Sequence, residues 1–149
     1  MTNFEIIKAL IRDKGKADAL DLRARAPEIT GTQIIDEEHK IPAFDPGKDY
    51  TEWTAGAPVY DDGQVYALIQ PYNAAHYPDT RPKDVPALWR VVHTTNPKKA
   101  KPWVQPTSTS DMYLVGECMI WSDGLVYRSL RDTNFSPAEY APDWEAVSE

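Results

Sequence analysis

The chain is short of cysteine, histidine, glycine and positive charge, and each shortage closes a class of function. Cys118 is the single cysteine in 149 residues, so no intramolecular disulfide can form. Set between Glu117 and Met119 with no histidine beside it, it reads as a small core residue, not a nucleophile. His39, His76 and His93 are the only histidines, and none has the i, i+4 spacing of a ligand pair. His76 follows Asn73-Ala74-Ala75 in a polar loop, where hydrogen bonding is its expected role, since no nucleophile accompanies it. The seven glycines are scattered and compose no phosphate-cradling loop. Basic residues are outnumbered, 16 against 23 acidic ones, for a formal charge of −7. The one basic run, Lys98-Lys99-Ala100-Lys101, lies between prolines and reads as a solvated linker, so a nucleic-acid partner is not expected. No apolar stretch reaches membrane-spanning length. Met1 to Asp13 alternates charged and apolar residues, unlike a secretory leader. Carboxylates are abundant, but so small a domain offers little room for a sugar cleft flanked by a catalytic pair. The expectation is a non-enzyme made in the cytosol, with no catalytic residue, no metal, no cofactor and no membrane partner.

What the chain does have is proline and aromatic rings: 13 Pro, five Trp, eight Tyr and three Phe. Proline breaks helices, while Trp and Tyr suit pleated, half-buried surfaces, so short strands joined by turns are predicted. The N-terminal part is different. Phe4, Ile7, Leu10 and Ile11 share one helical face, with Thr2 or Asn3 as cap, and Gly15 is expected to end that helix. Ala17, Leu20 and Ala24 carry a second short stripe closed by Pro27. Residues 1–30 thus read as a helical docking or oligomerisation segment, marginal alone and in need of a packing partner. Residues 31–46 read as a connector, with Ile34-Ile35 a possible short strand and Asp36 to Lys40 solvated.

From residue 47 the chain repeats itself. Trp53, Gly56 and the run Val59-Tyr60-Asp61-Asp62-Gly63-Gln64-Val65-Tyr66 are matched by Tyr113, Gly116 and Ile120-Trp121-Ser122-Asp123-Gly124-Leu125-Val126-Tyr127. Each copy holds a hairpin turned at Asp-Gly, where glycine supplies the positive φ that a tight turn needs. Each then passes through a proline-containing loop to a closing strand, Leu88 to Val92 or Asp143 to Val147. A unit of this size cannot build a deep aliphatic core, so large rings must supply the burial. Tyr66, Trp89, Tyr113, Tyr127 and Trp144 are the predicted core, with Trp89 and Trp144 paired to Tyr66 and Tyr127. The expected architecture is mainly β with a short helical N-terminus, followed by two tandem small three-stranded antiparallel β-modules. The modules are placed at 47–95 and 103–149, with a linker at 96–102.

The order Trp, Tyr-x-x-Gly, turn Gly, Tyr, Pro loop, closing Trp resembles the small carbohydrate-binding modules of families 5 and 12, chitin-binding appendages of bacterial chitinases and cellulases. The second copy carries it most fully, in Trp103-Val104-Gln105-Pro106, Tyr113-x-x-Gly116, Asp123-Gly124, Tyr127, Pro137 and Trp144. Over nearly the whole chain, Ala17 to Pro27 and Pro102 to Val147 also look like tail-associated virion proteins of phages and prophages of Gram-positive bacteria. That resemblance implies a virion accessory protein (tail, baseplate or fibre) with other virion proteins as partners. It further implies modules that attach to a bacterial-surface glycan, and homo-oligomerisation through the N-terminal helices. In the chitin-binding members an adjacent aromatic pair after the strand Tyr stacks on sugar; here those positions are Gln70-Pro71 and Arg131-Asp132. Candidate contact residues for glycan or partner are therefore Trp53, Tyr72, Tyr77, Trp103, Phe135 and Tyr140, the loop rings among them serving otherwise as anchors onto the small cores. Two other functions remain open at this point: a purely structural virion part whose modules contact neighbouring subunits, and a targeting module of a secreted polysaccharide hydrolase.

Overall fold

A computed structural model describes residues 2–148. The longest element is α1, Asn3–Arg25, opened by a capping box in which the Thr2 hydroxyl accepts the Glu5 N–H and the Glu5 carboxylate accepts the Thr2 N–H. Contrary to the expectation of a break at Gly15, α1 runs straight through it. A Cβ at Gly15 would meet nothing within 4 Å, so this exposed glycine costs helix propensity, about 1 kcal/mol, and imposes no turn. Ion pairs Lys14–Asp18 (3.3 Å) and Arg25–Asp21 (2.9 Å), both i, i+4, support the second half. The helix stops where Pro27 enters a short 3₁₀ turn.

Residues 31–46 are not a bare connector. Gly31–Asp36 is a second helix, α2, with its own capping box between Thr30 and Gln33, so Ile34-Ile35 is helical and not a strand. Both isoleucines are fully buried, with Leu22 of α1, Ala26 of the 3₁₀ turn after it, Ile41, Val65, Ala67 and Val92.

Among the described residues seven strands form two sheets. In the first, β1 (Pro58–Asp61), β2 (Gln64–Leu68) and β3 (Trp89–Val91) make an antiparallel meander. In the second, β5 (Cys118–Ile120), β6 (Val126–Ser129) and β7 (Trp144–Ala146) repeat it, and a two-residue strand β4 (Lys101–Pro102) adds in parallel beside β5. The second sheet is thus four-stranded and mixed, not three-stranded. The first has the equivalent lead-in as a single parallel bridge, Ala43 to Tyr60. Strand accounts for about 20% of the chain and helix, 3₁₀ turns included, for about 32%, so "mainly β" overstates the strand content.

The hairpins differ in their turns. Asp62-Gly63 is a two-residue loop with both residues at positive φ (49° and 77°) between paired Asp61 and Gln64. The second hairpin spends residues 121–125 on its reversal, and only Gly124 (84°) is left-handed there. The strand β2 alternates its burial between two layers. Tyr66 and Leu68 face an aromatic core, and Val65 and Ala67 face α1 and α2. Among the described residues no helix covers the second sheet, so Val126 and Arg128, the counterparts of Val65 and Ala67, stay half-buried; Tyr127, the counterpart of Tyr66, packs half-buried against the second aromatic cluster.

Each sheet rests on a triad of rings, and the two triads superpose in type. Phe44 stacks on Tyr50 (5.9 Å, 11°), and Trp89 stands edge-on to both (6.0 Å, 87°; 5.4 Å, 89°). Trp103 stacks on Tyr113 (5.1 Å, 11°), and Trp144 stands edge-on to both (5.9 Å, 84°; 5.3 Å, 73°). The Tyr50 hydroxyl accepts the Asp45 N–H, one residue past Phe44, and the Tyr113 hydroxyl accepts the Val104 N–H, one residue past Trp103. The counterpart of Tyr113 is therefore Tyr50, not Trp53. The ring partners of Trp89 and Trp144 are these two tyrosines, not Tyr66 and Tyr127.

The two units touch through the segment that leaves β3. The Thr94 carbonyl accepts the Cys118 N–H (2.8 Å), Gln64 Nε2 donates to the Pro102 carbonyl (2.7 Å), and Lys101 pairs with Glu38. His93 stacks on Tyr113 at 3.8 Å. No described helix is long and apolar enough to cross a membrane.

Candidate functional site

The six rings proposed from the sequence as contact residues fall into two groups. Tyr72 is buried, its hydroxyl accepting the Trp89 indole N–H at 2.7 Å, and Trp103 is a member of the second triad. Tyr72 is thus a core residue, which corrects its assignment as a surface contact, whereas Trp103 is half-buried and keeps surface beside Trp121. Trp53 is half-buried beneath the Arg23 guanidinium, 4.3 Å from its ring centre. Tyr77, Phe135 and Tyr140 remain exposed, at 49%, 53% and 45%. Among the predicted core residues, Tyr66, Trp89, Tyr113 and Trp144 are buried and Tyr127 is half-buried, its hydroxyl donating to Asp123 at 2.7 Å.

Phe135 and Tyr140 flank a groove of about 390 Å³ whose other walls include Met112, Arg131, Asp132, Asn134 and Asp143. Its loop is fixed by local hydrogen bonds. The Ser136 hydroxyl accepts the Glu139 N–H while the Glu139 carboxylate accepts the Ser136 N–H, both at 3.1 Å. The Trp144 indole donates to the Phe135 carbonyl at 2.8 Å. With the backbone tied inward, the Phe135 ring projects outward, 6.4 Å from Tyr140.

The groove has a polar floor. Asp143 is almost fully buried. One carboxylate oxygen accepts the Thr133 hydroxyl (2.7 Å) and the other lies 2.7 Å from Arg131 Nε. Arg131 is itself exposed and reaches over Tyr140 at 6.0 Å. The side-chain oxygen of Asn134 is buried with no hydrogen-bond partner, an acceptor whose desolvation is uncompensated until something donates to it. Arg131 and Asp132 thus line a groove of mixed aromatic and ionic character. Neither Arg131, Asn134 nor Asp143 stood out in the sequence as a site residue, because their convergence depends on a loop closing back onto β6.

The corresponding place in the first unit is built differently. Leu88 holds the backbone position of Asp143, since Ile69 and Leu130 donate to their respective carbonyls at 2.7 Å, and an apolar leucine replaces the buried carboxylate. Gln70 is engaged with the Ala87 carbonyl (3.3 Å), and Tyr77 leans on Tyr72 (5.8 Å, 59°). His76 lies 3.5 Å from the Asn73 amide nitrogen. Among the described residues no group of three or more His, Cys, Asp or Glu side chains is placed to hold a metal ion. Burial pushes the Cys118 thiol above its ordinary pKa, which disfavours the thiolate. No protein-family model and no curated protein matches the chain.

Proposed function

We propose that this chain is a non-catalytic virion accessory protein that holds a bacterial-surface glycan in the groove between Phe135 and Tyr140. The observation that carries the reading is the pairing of two exposed rings with a fixed polar floor: Arg131 as donor, Asp143 buried beneath it, and the unsatisfied Asn134 oxygen. Planar apolar faces with a few oriented polar groups are what sugar recognition requires. The resemblance of the repeat to carbohydrate-binding modules supports it, and the virion setting rests on the resemblance alone. A glycan array and whole-cell binding test the proposal. Phe135→Ala and Tyr140→Ala should each weaken binding about tenfold, at the level of 1–2 kcal/mol expected for a contact ring. If the protein binds neither glycans nor cells, or if both variants bind as the parent does, adhesion through this groove is wrong.

The same reading gives α1 the part of an oligomerisation helix. Phe4, Ile7, Leu10 and Ile11 are 54–69% exposed on its first turns, while burial on α1 is confined to Leu22 near its end. Such a stripe joins copies of one chain into a symmetric bundle, in which weak glycan sites gain avidity. Mass measurement in solution should find the parent protein oligomeric and Ile7→Glu/Ile11→Glu monomeric with its sheets intact. An unchanged mass would remove the helix from assembly.

A further inference from the structure

A second groove lies on the other unit, between α1 and the lead-in to the first sheet. Lys16, Leu20 and Arg23 occupy one face of α1, spaced by four and three residues, and Asp45, Lys48 and Trp53 stand opposite, around a volume of about 420 Å³. Three cations converge there. The Arg23 guanidinium lies 4.3 Å from the Trp53 ring centre, and Lys48 Nζ reaches the same ring at 5.7 Å. None of the three has a carboxylate within ion-pairing distance among the described residues, whereas neighbouring Lys14, Arg25 and Lys40 each do. The Asp45 carboxylate is engaged by the Gly47 N–H at 2.9 Å. Burial presses Arg23 below the usual guanidinium pKa, as expected of a charge short of compensation.

A chain with seven more acidic than basic residues has carboxylates to spare, yet this groove sets three positive charges against the single carboxylate of Asp45, which ion-pairs with none of them. Like charges over one ring repel, and partial enclosure strengthens their common field. An anion relieves that repulsion. The walls say more about its kind: Leu20 is 58% exposed on one side and Pro42 and Ala43 line the other. The space is of the size that small-molecule sites occupy, larger than a bare ion needs. We infer that the groove between α1 and Trp53 binds an acidic saccharide, a sugar ring bearing a carboxylate or phosphate, held by Lys16, Arg23 and Lys48. The site is separate from the Phe135–Tyr140 groove and does not depend on what that groove holds.

The test follows the Trp53 indole N–H resonance of the full chain, assigned with Trp53→Phe, during titration with tetragalacturonate, glucose 6-phosphate, maltotetraose and inorganic phosphate. A saturable shift is expected with at least one of the two acidic sugars, and which one responds separates carboxylate from phosphate. Maltotetraose should give none. Affinity should fall by about tenfold or more in Lys48→Gln and in Arg23→Gln, the loss expected for a charged hydrogen bond, and should decline with added salt. Lys48 is exposed, so its variant reports on binding with the fold preserved even if Arg23→Gln unfolds. Phe135→Ala should leave the titration unchanged. The inference is overturned if neither acidic sugar saturates, if maltotetraose binds equally, or if Lys48→Gln binds as the parent does. Inorganic phosphate binding as tightly as glucose 6-phosphate would also overturn it, since that describes a bare ion site.

Discussion

Replacing Tyr50 with alanine is expected to destabilise the protein by about 3–5 kcal/mol, the range for truncating a large buried ring. Trp53→Ala should cost only about 1 kcal/mol, on the scale of the cation–π contacts it makes. Tyr50 is 0% exposed and sits at the centre of its cluster, touching Phe44, Trp53, Tyr72 and Trp89. Its removal takes away the ring on which Phe44 stacks and the acceptor for the Asp45 N–H, leaving a cavity and an unpaired donor together. Trp53 lies on the rim, and its loss uncovers Arg23 and Lys48 without opening the core. Urea unfolding of the two variants decides the matter. If Trp53→Ala is as damaging as Tyr50→Ala, the equivalence of Tyr50 with Tyr113 is wrong.

That equivalence shows how far the sequence could be read. The hairpins were legible because Asp-Gly turns and alternating apolar residues mark them locally, and Trp89 and Trp144 because a small sheet needs a large ring at its closing strand. Pairing Trp53 with Tyr113 was reasonable from spacing, as each stands three residues before a glycine, Gly56 or Gly116. It failed because the copies carry their extra residues in different places. Tyr50 stands six positions after Phe44 and Tyr113 ten after Trp103, while Tyr50 stands six before its glycine. Matching the rings as a set of three would have found Phe44, since each small core needs all three. For α2 the signal is local. Thr30-x-x-Gln33 is a capping box, and it outweighs the β propensity of Ile34-Ile35 once both isoleucines are buried under α1. Gly15 misled in the opposite sense, because glycine ends a helix only where it takes up left-handed backbone, and nothing past Gly15 competes with continued helix. The two grooves were not legible at all. Arg23 meets Trp53 across 30 residues, and Arg131 meets Asp143 across a loop, contacts that no local pattern encodes.

Stability is expected to fall by roughly 3 kcal/mol as pH drops from 6.5 to 4, through His93 alone. His93 is buried where the first unit meets the second, stacked on Tyr113, with Nε2–H donating to the Asp111 carbonyl at 2.8 Å. Burial holds its pKa at about 4 against an ordinary 6.5; Asp111 works weakly the other way, and Arg90 adds to the lowering. The Asp111 carboxylate is occupied by the backbone N–H groups of Thr107 and Ser108 and the Thr107 hydroxyl, so it does not neutralise an imidazolium. The unfolded chain takes up a proton near pH 6.5 and the folded chain only near 4. The stabilisation is therefore complete above 6.5 and is lost progressively between those values. His93→Phe keeps a ring against Tyr113 and removes the titration. Across that window the difference in unfolding free energy between parent and variant should change by roughly 3 kcal/mol in favour of the variant as pH falls, with contributions from other carboxylates cancelling. Parallel curves would show that His93 does not titrate on unfolding. Because the imidazole touches Asp111 and Tyr113 from the far side of the junction, its protonation acts on the contact between the two units before either aromatic core. Amide exchange at Cys118, whose N–H is held by Thr94 across that junction, should accelerate at acid pH relative to the amides of β2 and β6, after allowance for the intrinsic pH dependence of exchange.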